Sequence, residues 1–184
     1  MITSNLISNV KEMISEYGPM LQHQQVSDNV GQKLAQKLTS DSKIVILGTM
    51  LMDCKIGLAI KENRLPDHIQ MSYEAAKEIL DKDTDITSKE KENILHCVLE
   101  HHGSQKFYSL ESEICCNADC YRFASIQGFF YTLRYFRPMP DEDFYQLLKN
   151  KFTEKSQAIT LDIVHDELDP QIIILQNLIN TLVK

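Results

Sequence analysis

Long apolar runs are missing from this sequence. The longest, residues 44–52 and 172–175, fall far short of the roughly 20 residues a membrane-spanning helix needs, so no membrane segment is expected. The start, Met1-Ile2-Thr3-Ser4-Asn5, has no basic segment followed by an apolar run, so no signal peptide is expected either. Cations are outnumbered: 19 Lys and Arg face 26 Asp and Glu, a net charge of −7. Neutralising a phosphate backbone or an anionic membrane needs a positive face, so general nucleic-acid and membrane-surface binding are excluded. A small phosphorylated ligand is not, because a few local cations or a metal ion can balance its charge. Paired cysteines are also lacking. The five cysteines are an odd number with three crowded between Cys115 and Cys120, which suits reduced thiols in a cytoplasmic protein rather than a disulfide framework.

Only six glycines and five prolines punctuate 184 residues, and the segments between them carry helical periodicity. That length suits one well-buried core rather than two, so a single domain over 1–184 is expected. Leu6, Val10, Met13, Ile14 and Tyr17 share a helical face that stops at Gly18-Pro19. His23, Val26, Val30, Leu34 and Leu38 share another, ending in the polar loop 39–42. Residues 44–53 are apolar and β-branched enough for a buried strand. With no second strand to pair its backbone groups, a buried helix is the better reading. Residues 72–80 form a short amphipathic helix. Thr87-Ser88-Lys89-Glu90 is a capping box that opens a helix running to His102 and stopping at Gly103. Ser109 caps the next, which continues through Asp119 into an aromatic stretch from Phe123 to Phe136. Pro138 and Pro140 interrupt the chain before further helices over 141–155 and 161–184.

Several ionisable residues share faces with apolar ones. His23 lies with Val26 and Val30, Asp53 closes the most apolar run, and His101 and His102 end the helix of Ile94 and Val98. Asp119 follows Ile114 and Cys115. One such residue alone is usually a satisfied core group or a cap. Several in one small helical protein argue for convergence, because buried charges need partners or a metal. Cys116 and Cys120, one helical turn apart, offer a partial zinc site, but without a second cysteine pair they read better as small buried hydrophobes. His165-Asp166 reads as a pair of polar surface residues near a helix end. Lys55 and Arg122 flank the candidate ligands and are placed to meet a phosphate, or equally to pack their stems at the surface.

The order of these residues carries a resemblance. His23, an apolar run ending in Asp53, then Val98-Leu99-Glu100-His101-His102-Gly103, then Ala118-Asp119, resembles the HD domain superfamily of metal-dependent phosphohydrolases. It spans roughly residues 23 to 125. The resemblance implies an all-α, HD-domain-like helical bundle, its motif core at about 20–125, with a C-terminal helical extension at about 138–184. It implies a divalent metal ion (Mn, Fe, Mg or Zn) held by His23, Asp53 and Asp119. It further implies that His101, His102 and Asp53 act in catalysis, and that His68, in Pro66-Asp67-His68, contacts substrate beside Lys55 and Arg122. Met52 stands where the family's name-giving His precedes the Asp. A thioether is a poor ligand for hard divalent ions, so a weakly bound metal is expected.

Three functions are compatible with these residues. The first is metal-assisted hydrolysis of a small phosphorylated or nucleotide-like substrate, with the ion activating water and neutralising phosphoryl charge. The second is a catalytically weakened HD-fold module for ligand binding or regulation, as Met52 suggests. The third is a helical protein-interaction domain presenting Phe129, Phe130, Tyr131, Tyr135 and Phe136, although core packing explains most of those aromatics.

Overall fold

The structure, a computed structural model, describes residues 2, 4–136 and 139–182. Among them are ten α-helices and no strand: α1 (Ser4–Tyr17), α2 (Leu21–Leu38), α3 (Ser42–Leu51), α4 (Ile56–Lys61), α5 (His68–Asp81), α6 (Ser88–Glu100), α7 (Leu110–Ala124), α8 (Ile126–Tyr135), α9 (Asp141–Gln157) and α10 (Asp162–Leu182). A 3₁₀ turn at Leu65–Asp67 leads into α5. Pro138 lies outside the described residues, and Pro140 precedes α9 in extended conformation at φ −54 and ψ 141.

The most apolar run is a helix, as its lack of a pairing strand requires. Asp41 caps α3 by accepting from the backbone N–H groups of Lys43 and Ile44. Seven of its ten residues are buried, because α1, α2, α6 and α7 all pack around it. Gly48 permits the closest of these approaches: a Cβ there would lie 2.6 Å from both Cys115 Sγ and Cys97 Cβ. α3 therefore delivers Met52 and Asp53, both buried, to the centre of the bundle.

α7 is the other central element. Ser109 caps it by accepting from Ser112 N–H, and Glu111 and Glu113 complement its positive first turn. From Ile114 to Arg122 every residue is buried, which places Asp119 and Arg122, one turn apart, inside the protein. Here the sequence expectation differs from the structure, since the aromatic stretch is not a continuation of α7. Ser125, extended at φ −94 and ψ 151, ends α7, and its hydroxyl starts α8 by accepting from Gly128 N–H. The Thr87 capping box is present at the start of α6.

Two apolar clusters result. The larger joins α1, α2, α3, α5, α6, α7 and the start of α10. The smaller gathers Phe129, Phe144, Leu148, Phe152, Leu175 and Ile179 from α8, α9 and α10. Phe129 is buried there, whereas Phe130 and Tyr135 are exposed. α9 also lies against α7 and presents Lys155 to Asp119. No helix among the described residues is long and apolar enough to cross a membrane.

Candidate metal centre

Three histidines from two neighbouring helices meet beside the end of α3. His68 opens α5, and His101 and His102 follow the last residue of α6. Each offers a donor atom within 4.8 Å of the other two. Their rings are held by the nitrogen that points away. His101 Nδ1 lies 2.7 Å from the Val98 carbonyl, His68 Nδ1 lies 2.8 Å from the Leu65 carbonyl, and His102 Nδ1 lies 3.0 Å from Glu154 Oε1. All three partners are acceptors, so each Nδ1 carries the proton and donates it outward. Each Nε2 is left with its lone pair facing inward, which is how metal-binding imidazoles are oriented by their surroundings.

Asp53 completes the convergence. Its Oδ1 lies 3.5 Å from His101 Nε2 and 3.6 Å from His68 Nε2, and His68 Nε2 lies 3.4 Å from His102 Nε2. Asp53 Oδ1 and His101 Nε2 are both buried without a hydrogen-bond partner among the described residues. Two buried acceptors facing each other repel unless a positive charge lies between them. A divalent ion supplies that charge, and three imidazoles with one carboxylate oxygen are a suitable donor set for Zn, Mn or Fe. The residues therefore fit a metal at this point. Exposure rises from none at the His101 side chain through 10% at His68 to 26% at His102, so the centre opens to solvent on the His102 side.

Electrostatics favour neutral imidazoles at His68 and His102 and an ionised Asp53. Burial holds His68 and His102 below the ordinary histidine range, which keeps both unprotonated and ready to ligate. Burial opposes ionisation of Asp53, but the Arg122 guanidinium beside it overcomes that and holds the carboxyl well below its usual value.

The inner side of the centre is ionic. Arg122 Nη1 bonds Asp53 Oδ2 and stands 3.0 Å from Asp119 Oδ1, so both carboxylates share one guanidinium. Lys155 Nζ lies 2.6 Å from Asp119 Oδ2 and 3.1 Å from Glu154 Oε1. Against the cost of burial, Lys155 and then Arg122 hold the Asp119 carboxyl ionised far below its usual range. Glu154 links this ionic cluster to the histidines by accepting from His102, and Lys151 lies 2.9 Å from its other oxygen. The His102 contact, followed by Lys155, keeps Glu154 ionised despite partial burial.

Of the residues singled out in the sequence, Asp53, His68, His101 and His102 meet directly, and Asp119 joins Asp53 through Arg122. His23 is buried nearby, but its Nε2 faces Thr132 Oγ1 at 3.1 Å and its ring meets Phe123 edge-on. Lys55 turns its ammonium over the Tyr17 ring, 5.1 Å from the centroid. Cys116 and Cys120 are buried and donate to the backbone carbonyls of Ala158 and Cys116. His165 pairs on the surface with Asp169 at 3.0 Å. Sequence reading missed Glu154, Lys155 and Lys151. Lys155 left a signal: it shares a helical face with Leu148 and Phe152, a lone cation on an apolar stripe.

The fold and centre define a helical bundle with a histidine–aspartate cluster at its heart. The chain shares its fold with a crystal structure described as a predicted HD superfamily hydrolase from an uncultured Thermotogales bacterium. That match has a TM-score of 0.58 and 15% identity, and it covers 81% of this chain and 84% of that one. No protein-family model and no curated protein sequence matches the chain.

Proposed function

We propose that this protein is a metal-dependent phosphohydrolase of the HD type acting on a small phosphorylated or nucleotide-like substrate. The observation that supports this reading best is the inward convergence of three buried or half-buried imidazole nitrogens on a buried, otherwise unpartnered carboxylate oxygen. A divalent ion there lowers the pKa of a bound water and neutralises charge on phosphoryl oxygens. The residues of the chain do the rest. His68, His101 and His102 hold the position, each fixed by its outward Nδ1–H bond. Asp53 sets the inner wall, with Arg122 keeping it ionised. Glu154 orients His102 at the mouth, and Lys151, part-exposed beside Glu154, supplies the positive charge that draws a phosphate in. The resemblance to HD domains would add His23 and Asp119 to the donor set and Lys55 to substrate binding, a wider set than the histidine-held ion proposed here requires.

A panel of small phosphomonoesters and nucleotides, assayed for phosphate release with added Mn, Mg, Co or Zn, tests the reading. Metal-dependent release that falls to background in folded His101→Gln is the expected result. Absence of release with every metal, from protein shown to bind one, would sink the enzyme reading. One observation then favours the second reading, a ligand-binding or regulatory module: Met52 occupies the position of an imidazole in that resemblance, and the adjacent carboxylates already carry side-chain cations.

A further inference from the structure

Asp53 and Asp119 bring two buried negative charges to the inner end of the centre, and two side-chain cations meet them. Arg122 Nη1 contacts Asp53 Oδ2 and Asp119 Oδ1, and Lys155 Nζ contacts Asp119 Oδ2. All four side chains are at most 4% exposed. Three of the four carboxylate oxygens are thus engaged by cations, and the two pairs balance in charge. The fourth oxygen, Asp53 Oδ1, is the one that faces the histidines.

Both cations are anchored from outside the pair. Arg122 rises from α7 one turn beyond Asp119, and its Nε donates to Ser27 Oγ on α2 at 3.1 Å. Lys155 reaches in from α9, beyond the stretch that carries the His–Asp pattern, and its ammonium also meets Glu154. A metal ion between the two carboxylates would have to displace the guanidinium. It would strand a buried arginine without a counter-charge, which is among the most costly arrangements in a protein interior.

We infer that Arg122 and Lys155 are built-in cations standing where a second metal ion would sit: the Asp53–Asp119 pair takes no metal, and the chain holds one ion, at the histidines. The single ion rests on the function proposed above, whereas the internal cations rest on the ion-pair geometry alone. Asp53 is the joint between the two halves, with Oδ2 on the guanidinium and Oδ1 toward the histidine-bound ion. The arrangement also explains Met52, because a position filled by a guanidinium needs no further imidazole.

Equilibrium dialysis of the full chain against Mn(II), with bound metal read by elemental analysis, tests this. The wild type is expected to hold one ion per chain and Arg122→Met two. The thermal midpoint of Arg122→Met should also rise further on adding Mn(II) than that of the wild type. Arg122→Gln, which also removes the guanidinium but keeps a polar side chain near Ser27, is expected to gain an ion likewise and carries the test where Arg122→Met does not fold. Two ions on the wild type overturn the inference, and so does a folded Arg122 variant that gains none. If the wild type binds none while the variant gains one, the internal cations stand and the histidine-bound ion falls, so the two readings fail separately.

Discussion

His23 carries a titration that the protein has to tolerate. Burial, followed by the repulsion of Arg122, lowers its pKa to about 4, against about 6.5 in an unfolded chain. Between those values the unfolded chain binds a proton that the folded one refuses. Stability from this residue is therefore intact above pH 6.5 and falls as pH drops toward 4, by about 3 kcal/mol in all. Urea unfolding of the wild type should show that loss, and His23→Asn, which keeps a polar partner for Thr132, should flatten the slope in this window. An unchanged slope would show that the imidazole is protonated inside the fold and ion-paired.

At the scale of helices, packing rests on close approach as much as on apolar area. Gly48 lies where α3 meets Cys97 of α6 and Cys115 of α7, and an added methyl would press on both at 2.6 Å. Gly48→Ala should destabilise the fold by about 1–3 kcal/mol despite its better helix propensity, as overpacked cores do. A chemical denaturation midpoint that rises instead would contradict this packing. Much at this scale is legible in the sequence, because it is local. The apolar run of α3, the Thr87 capping box and the Ser109 cap each depend on residues within a turn or two. Ser125 shows the limit, since nothing in the aromatic periodicity marks the residue that stops α7 and caps α8. The centre divides the same way. Asp53, Asp119, His101 and His102 stand out as ionisable residues on apolar faces, yet apart from Arg122 their partners do not. Lys155 and Glu154 arrive through the docking of α9 on α7, and so does the outward contact of His102, whereas those of His68 and His101 are made to carbonyls three residues back.

For the whole molecule, a centre that assembles only on folding makes metal binding a source of stability. At about one hundred times the dissociation constant, a single bound ion adds about 2.7 kcal/mol, which for a chain of this size raises the melting midpoint by about 5–10 °C. Chelator should reverse the gain in a thermal scan, and His101→Gln should abolish it. Because burial lowers the pKa of His68 and His102, protons compete less with the ion at those two ligands, and the gain should fade at a lower pH than free imidazoles would give. The most direct measurement is the position of the ion itself, from anomalous scattering by a crystal soaked in Mn(II) or Zn(II). One peak is predicted, at about 2.0–2.3 Å from the Nε2 atoms of His68, His101 and His102 and facing Asp53. A peak between Asp53 and Asp119, or none at the histidines, would contradict the account.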